Sequence, residues 1–290
     1  MKKKKIFITG AYGLLGTTLS KKLKENGYRI IRHGTKESRD TSFNLENFSI
    51  LKKKLDKIKP NLIINLLALT NVDECERNIA KAYKLNVKYL KNLSEYLKLT
   101  NNKCRLIHIS TDQVYFGKGP HKENDVNPIN NYGITKFLGE LVALENNALI
   151  LRTNFVGKSE NQRRKSLSDW FIENIKRGNK INIYNNIFFN PLEINYLSSL
   201  IIKIMFKKNH GIFNLGSKNG LSKALFLNKI AKELNLDTKN CKIKKINFLK
   251  NVAIRPKDMI MNCKKFEKTF KMRLPSLQNQ ILQICKPYKN

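Results

Sequence analysis

The segment KIFITGAYGLLGTTLS, residues 5–20, places Gly10, Gly13 and Gly16 between a short apolar run and an amphipathic stretch. A strand that turns through glycines directly into a helix lets the backbone approach a pyrophosphate, whose charge meets the positive helix N-terminus. Glycines also simply make turns, so the triplet alone is weak, and the strand before it and the helix after it supply the context. The unit predicts a dinucleotide cofactor at Gly10, Tyr12, Gly13, Leu14, Leu15 and Gly16.

The first half of the chain repeats that rhythm. Strands are expected at 5–10, 28–34, 61–69, 104–110 and 148–156, alternating with helices at 13–27, 44–60, 78–98 and 128–145. Pro60 is expected to halt the second helix, and Pro128 to open the fourth. Continuous apolar strands separated by helices imply an α/β fold, a Rossmann-type doubly wound parallel sheet covered on both faces. Beyond about residue 157 the pattern loosens into helices at 166–177, 194–207, 220–234 and 263–270, with a short strand at 180–184. The division expected is a cofactor-binding domain over 1–160, with a returning segment near 180–210, and a mixed α/β substrate lobe over 161–290. Trp170 and its aromatic neighbour read as packing residues of that lobe.

Where an acid would hold a ribose 2′-hydroxyl, the second strand ends on Gly34, with Arg32 before it and Thr35, Lys36 and Arg39 after. Cations without an acid suit a 2′-phosphate, hence NADPH, with NADH left open because any loop of so basic a chain carries lysines. The formal net charge of +34 invites a nucleic-acid role. The lysines are spread along the whole chain, however, and no nucleic-acid-binding signature accompanies them. No nucleic acid is expected, and an attraction for anionic ligands is. The longest apolar runs are too short to span a bilayer, and glycines interrupt the N-terminal one before any cleavage signal, so a cytoplasmic protein without a membrane partner is expected. Five scattered cysteines and four histidines offer neither a disulfide framework nor a metal-ligand spacing.

Tyr132 and Lys136 stand one helical turn apart, after a Ser-Thr-Asp triplet that ends an apolar run. A lysine ammonium and a cationic nicotinamide would both lower a phenol pKa from its ordinary value of about 10. Thr111 would hold a carbonyl oxygen while hydride arrives, and Tyr132 would supply the proton.

With TGAYGLLG (9–16), KPNLIINLLALTNVDECE (59–76), HISTDQVYFG (108–117), NPINNYGITKFLGE (127–140), ILRTNFVG (150–157) and IRPKDMIMNCKKFEKTF (254–270), the chain resembles the dTDP-4-dehydrorhamnose reductase family. That family lies within the extended short-chain dehydrogenase/reductases, and the resemblance runs nearly end to end. It implies Thr111, Tyr132 and Lys136 as a catalytic trio, and Ala68 and Leu69 beside the nicotinamide ribose. Val72, Asp73 and Phe155 would neighbour the sugar, Asp112 would orient the site, and Arg255 would approach the substrate phosphates. Asp73 and Glu76 could equally cap a helix, and Arg255 could be an ion-pair partner. Leu66 and Leu67 stand where the family has small residues, Phe155 where it commonly has tryptophan, and Pro191 is the clear remnant of a Gly-x-Pro-Thr-like loop. The activity implied is reduction of the C4 ketone of a nucleotide-linked 6-deoxysugar, in a chain that could form a homodimer. The alternatives are another nucleotide-sugar reductase or epimerase, and a non-catalytic regulatory subunit such as that of methionine adenosyltransferase. A dehydratase would carry Glu after Asp112 where this chain has Gln113, and a regulatory subunit need not keep Tyr132 and Lys136.

Overall fold

The computed structural model describes residues 4–34, 41–100, 104–161, 163–246 and 253–289. The first part runs β1 (Lys5–Thr9), α1 (Leu14–Glu25), β2 (Arg29–His33), α2 (Phe48–Ile58), β3 (Leu62–Asn65), α3 (Val72–Arg77) and α4 (Ile79–Tyr83). A π-helical turn (Lys84–Lys88) leads into α5 (Tyr89–Leu99), then β4 (Arg105–Thr111), a 3₁₀ turn (Asp112–Val114), α6 (Asn131–Leu144) and β5 (Leu149–Thr153). The remainder is β6 (Phe155–Val156), α7 (Leu167–Lys176), β7 (Ile181–Tyr184), β8 (Phe188–Phe189), β9 (Leu192–Glu193), α8 (Ile194–Ile204) and β10 (Gly211–Leu215). It closes with β11 (Leu221–Ser222), α9 (Lys223–Glu233), β12 (Cys241–Lys244), α10 (Lys264–Phe270) and α11 (Leu277–Cys285).

The central sheet has six parallel strands in the order β10-β5-β4-β3-β1-β2. Its strands read as unbroken apolar runs because both faces are covered. Leu19 and Leu23 of α1 and Leu197 and Ile201 of α8 pack one face, and Leu55 of α2, Leu93 of α5 and Ala143 of α6 pack the other. Each such leucine contributes about 1.5–3 kcal/mol by leaving water. Strand order reverses at β1, which pairs with β2 on one side and β3 on the other, so a crevice opens beyond the strands' C-terminal ends. A second core joins Phe171 of α7, Ile183 of β7, Phe226 and Ile230 of α9, and Ile281 and Ile284 of α11.

Several boundaries differ from the sequence expectation, each for a local reason. β3 stops at Asn65, and residues 66–69 peel off the sheet rather than extending it. α2 starts only at Phe48, where the Asn47 side chain accepts from Ile50 N, and ends through a left-handed Lys59 just before Pro60. α6 starts at Asn131, not Pro128, because the Asn130 side chain caps it by accepting from Gly133 N. The stretch 78–98 is broken by the π turn, and α11 was not anticipated. Trp170 is not a packing residue, with 37% of its surface exposed, whereas Phe171 is fully buried. Among the described residues no helix is long and apolar enough to cross a membrane.

Candidate active site

A cleft of about 1230 Å³ follows the crevice, with the glycine turn on one wall and Thr111, Tyr132 and Lys136 on another. The turn needs glycine at two positions. Gly10 has φ +67, and a Cβ there would meet Leu67 N at 2.7 Å. A Cβ on Gly16 would lie 2.4 Å from Gly10 O, so α1 packs too closely on the turn for any side chain. The resulting bare backbone, ending in the N-terminus of α1, is the cradle a pyrophosphate requires.

Tyr132, Lys136 and Thr111 are all buried. Burial raises the Tyr132 pKa above its ordinary value, with the nearby Thr111 hydroxyl pulling the other way. The neighbouring ammonium expected to lower the phenol pKa is outweighed by desolvation, and the phenol stays protonated at neutral pH. Lys136 Nζ donates to Ile109 O at 2.8 Å and lies 3.4 Å from His108 Nε2, and burial brings its pKa down to about 8. Thr111 Oγ1 donates to Asp112 Oδ1 at 3.2 Å and accepts from Gln113 N at 3.2 Å. Asp112 is itself buried, which pushes its carboxyl up to about 6 against the hydrogen bond from Asn154 Nδ2 at 2.6 Å.

Gly10, Tyr12, Gly13, Leu14, Leu15, Gly16, Ala68, Asp112 and Phe155 also line the cleft. Arg32 stands behind that wall, its guanidinium 5.0 Å from the centre of the Tyr12 ring. Gly34 is on the cleft wall, whereas Thr35, Lys36 and Arg39 lie outside the described residues. Leu69 and Val72 pack behind Tyr132 with Cys75, Ala82 and Ala253 instead of facing the cleft. Asp73 and Arg255 pair with each other, Arg255 Nη2 donating to Asp73 Oδ2 at 2.6 Å, and this holds the Asp73 carboxyl below its ordinary pKa. Asp73 also accepts from Ala253 N at 3.2 Å, while α3 is capped by Asn71. Glu76 serves a different helix, accepting from Asn131 N at the start of α6.

Other residues of the site were not singled out from the sequence, although Asn154 lies within the ILRTNFVG segment. Asn154 anchors Asp112. Lys223, half-buried at the start of α9, faces the Asp112 carboxylate and the Arg255 cation, and desolvation lowers its pKa. Arg163, Arg164 and Lys165, on the loop after β6, line the cleft wall with the glycine turn, because Asn161 Nδ2 donates to Tyr12 O at 2.7 Å. A loop so distant in sequence shows its role only once that contact exists. No cluster of metal-ligating side chains occurs among the described residues.

The family described as the RmlD substrate binding domain matches residues 4–290. The spore coat polysaccharide biosynthesis protein SpsK of Bacillus subtilis is 28% identical over 242 residues, 81% of each chain. A dTDP-4-dehydrorhamnose reductase of Aggregatibacter actinomycetemcomitans is 36% identical over 157 residues, 52% of this chain and 51% of that protein. Among solved structures, the dTDP-4-dehydrorhamnose reductase of Bacillus anthracis in complex with NADP aligns with a TM-score of 0.88 at 26% identity, over 99% of this chain and 100% of that one.

Proposed function

This chain belongs to the RmlD substrate binding domain family, and from that premise we propose that it is an NADPH-dependent reductase of a nucleotide-linked 4-keto-6-deoxysugar. The substrate named by its relatives, dTDP-4-dehydrorhamnose, going to dTDP-rhamnose, is the specific reading. The observation that carries the reaction type is the convergence of Thr111, Tyr132 and Lys136 on the cleft that also holds the bare glycine turn.

The close approaches at Gly10 and Gly16 fit a dinucleotide, and NADP in the Bacillus anthracis relative supports the phosphorylated form. When bound, the cofactor supplies hydride to the sugar C4 carbonyl. Tyr132, kept protonated by burial, hands its proton to the oxygen at C4. Thr111 steers that oxygen, its own hydroxyl being oriented by Asp112 and the Gln113 backbone. Lys136 is poised to restore the tyrosine proton, and Phe155 contributes an apolar wall for the sugar. The Asp73–Arg255 pair stands outside the cleft lining, where Arg255 could still reach a phosphate by exchanging partners. A cytoplasmic location belongs to the same reading.

A homodimer belongs to it as well. Ile134, Leu138 and Leu141 expose one stripe of α6, and the charged side chains of that helix, Lys136 and Glu140, are buried. In a chain of net charge +34, this uncharged face is where two copies can meet without repulsion.

Tyr132→Phe tests the chemistry. A positioned general acid contributes about 10²–10⁴-fold, so turnover should fall by that factor while NADPH affinity changes little. Normal turnover in the variant would remove Tyr132 from the role of proton donor.

A further inference from the structure

Behind Lys136, away from the cleft, stands a second set of buried polar groups. Thr9, Asn65 and His108, from β1, β3 and β4, form a fully buried polar chain that ends at the lysine ammonium. Thr9 Oγ1 lies 2.5 Å from Asn65 Oδ1, Asn65 Nδ2 lies 2.9 Å from His108 Nδ1, and His108 Nε2 lies 3.4 Å from Lys136 Nζ.

Hydrogen-bond accounting restricts this chain to matched states. A charged ammonium is donor-only, so His108 Nε2 must then be bare and the ring proton must sit on Nδ1. Nδ1–H requires an acceptor, which Asn65 provides by presenting Oδ1 to the ring and its amide N–H to Thr9 Oγ1. With Lys136 neutral, its lone pair can accept, and the opposite arrangement is satisfied: His108 carries its proton on Nε2, Asn65 donates to Nδ1, and Thr9 donates to Asn65. The two arrangements fill the same space, since the Asn65 amide exchanges its oxygen and nitrogen by a half-turn of the side chain and the imidazole moves only a proton. His108 holds one proton in both. A second is opposed by burial and by the neighbouring lysine, which keep its pKa well below the ordinary histidine value. The charges that act on the pair are each other's and that of Glu140 on α6, which favours the lysine cation.

We propose that His108 is a positioning residue for Lys136, and that the Thr9–Asn65–His108 chain reverses its donors and acceptors as Lys136 gains or loses its proton. In either state of the lysine each member of the chain then keeps a hydrogen-bond partner, where a fixed arrangement would leave two donors or two acceptors facing one another. Lys136 can therefore change protonation inside the fold during turnover, which deepens the reductase reading and rests on it for its catalytic consequence.

The direct test is the tautomer of His108 in the intact chain labelled with ¹⁵N-histidine, followed by long-range ¹H–¹⁵N spectra from pH 6 to 9.5. The expected result is Nδ1–H at the acid end, converting to Nε2–H with a midpoint at the Lys136 pKa of about 8. A tautomer that stays fixed across the range overturns the proposal whatever reaction the protein performs. The kinetic test compares His108→Phe with His108→Gln, whose amide oxygen can still accept from the lysine. Loss of the acceptor disfavours the ammonium, so in the phenylalanine variant the kcat–pH limb assigned to Lys136 should move down by about one pH unit, tenfold in the proton equilibrium. The glutamine variant should keep the limb near its original place. Equal rate loss at every pH in both folded variants, with neither limb displaced, would reduce His108 to a packing residue. Wild-type protein that shows the tautomer switch but reduces no keto-sugar would instead fault the functional reading alone.

Discussion

Burial drives both Tyr132 and Asp112 toward the neutral acid, but only Asp112 is brought into the physiological range. Its folded pKa of about 6 exceeds the ordinary carboxyl value, so the native state holds the proton more tightly than the unfolded chain. The stability this provides is fully present below the unfolded pKa and is lost as pH rises through about 6. Asp112→Asn removes that dependence. Thermal melts at pH 4.5 and 7 should therefore show the wild type losing stability relative to the variant by about 2 kcal/mol, and parallel curves would refute the assignment. The carboxylate form also claims the single hydroxyl proton of Thr111, a competition no sequence motif announces. At this scale the catalytic trio and the glycines were legible, because their spacing is local. What Asn154 and Lys223 hold, and which acid pairs with Arg255, were not, because residues far apart in sequence create each contact.

Among the elements, β1 to β5 were the most legible, since double-sided burial writes itself as an apolar run, whereas the sixth strand of the sheet, β10, was not expected. The π turn was not. It directs Asn86 inward, where its side chain accepts from Leu69 N at 2.7 Å and donates to Thr135 Oγ1 at 2.9 Å, tying the loop after β3 to α6. One buried asparagine in a helical pattern carries no warning of that. The loop after β6 makes a prediction of its own. Arg164 has no ion-pair or hydrogen-bond partner for its guanidinium among the described residues, and it lines the cleft. Arg164→Ala should weaken NADPH binding about tenfold, the 1.4 kcal/mol range of a charge-assisted contact, without lowering the melting temperature, as fluorescence titration and a melt would show. If NADH weakens equally, the contact is to the pyrophosphate, and if only NADPH weakens, it is to the 2′-phosphate. Unchanged affinity for both would detach the loop from cofactor binding. On α6, Leu138→Lys places like charges across the apolar stripe. Sedimentation should show twice the 33.7 kDa chain mass for the wild type and the single mass for the variant, and a monomeric wild type would end the dimer proposal.

Across the whole molecule, a buried ion pair joins the parts. Arg152 of β5 and Glu140 of α6 are both fully buried, and Arg152 Nη2 donates to Glu140 Oε2 at 2.6 Å. Arg152 also donates to Tyr115 Oη at 2.8 Å, and Tyr115 donates to Asn214 of β10 at 2.6 Å, so the helix bearing Tyr132 is locked to two strands, β5 and β10. Arg152→Ala strands a buried carboxylate and should cost about 3–5 kcal/mol in urea unfolding, while replacing both partners by apolar residues should cost far less. The net charge of +34 enters none of these contacts. NADPH oxidation followed against a panel of dTDP-, UDP-, GDP- and CDP-linked 4-keto-6-deoxysugars decides whether this chain is a reductase of that class. Oxidation should be rapid with the dTDP-linked 4-dehydrorhamnose and lost in Tyr132→Phe. A protein that binds NADPH but oxidises it with no member of the panel would not be such a reductase.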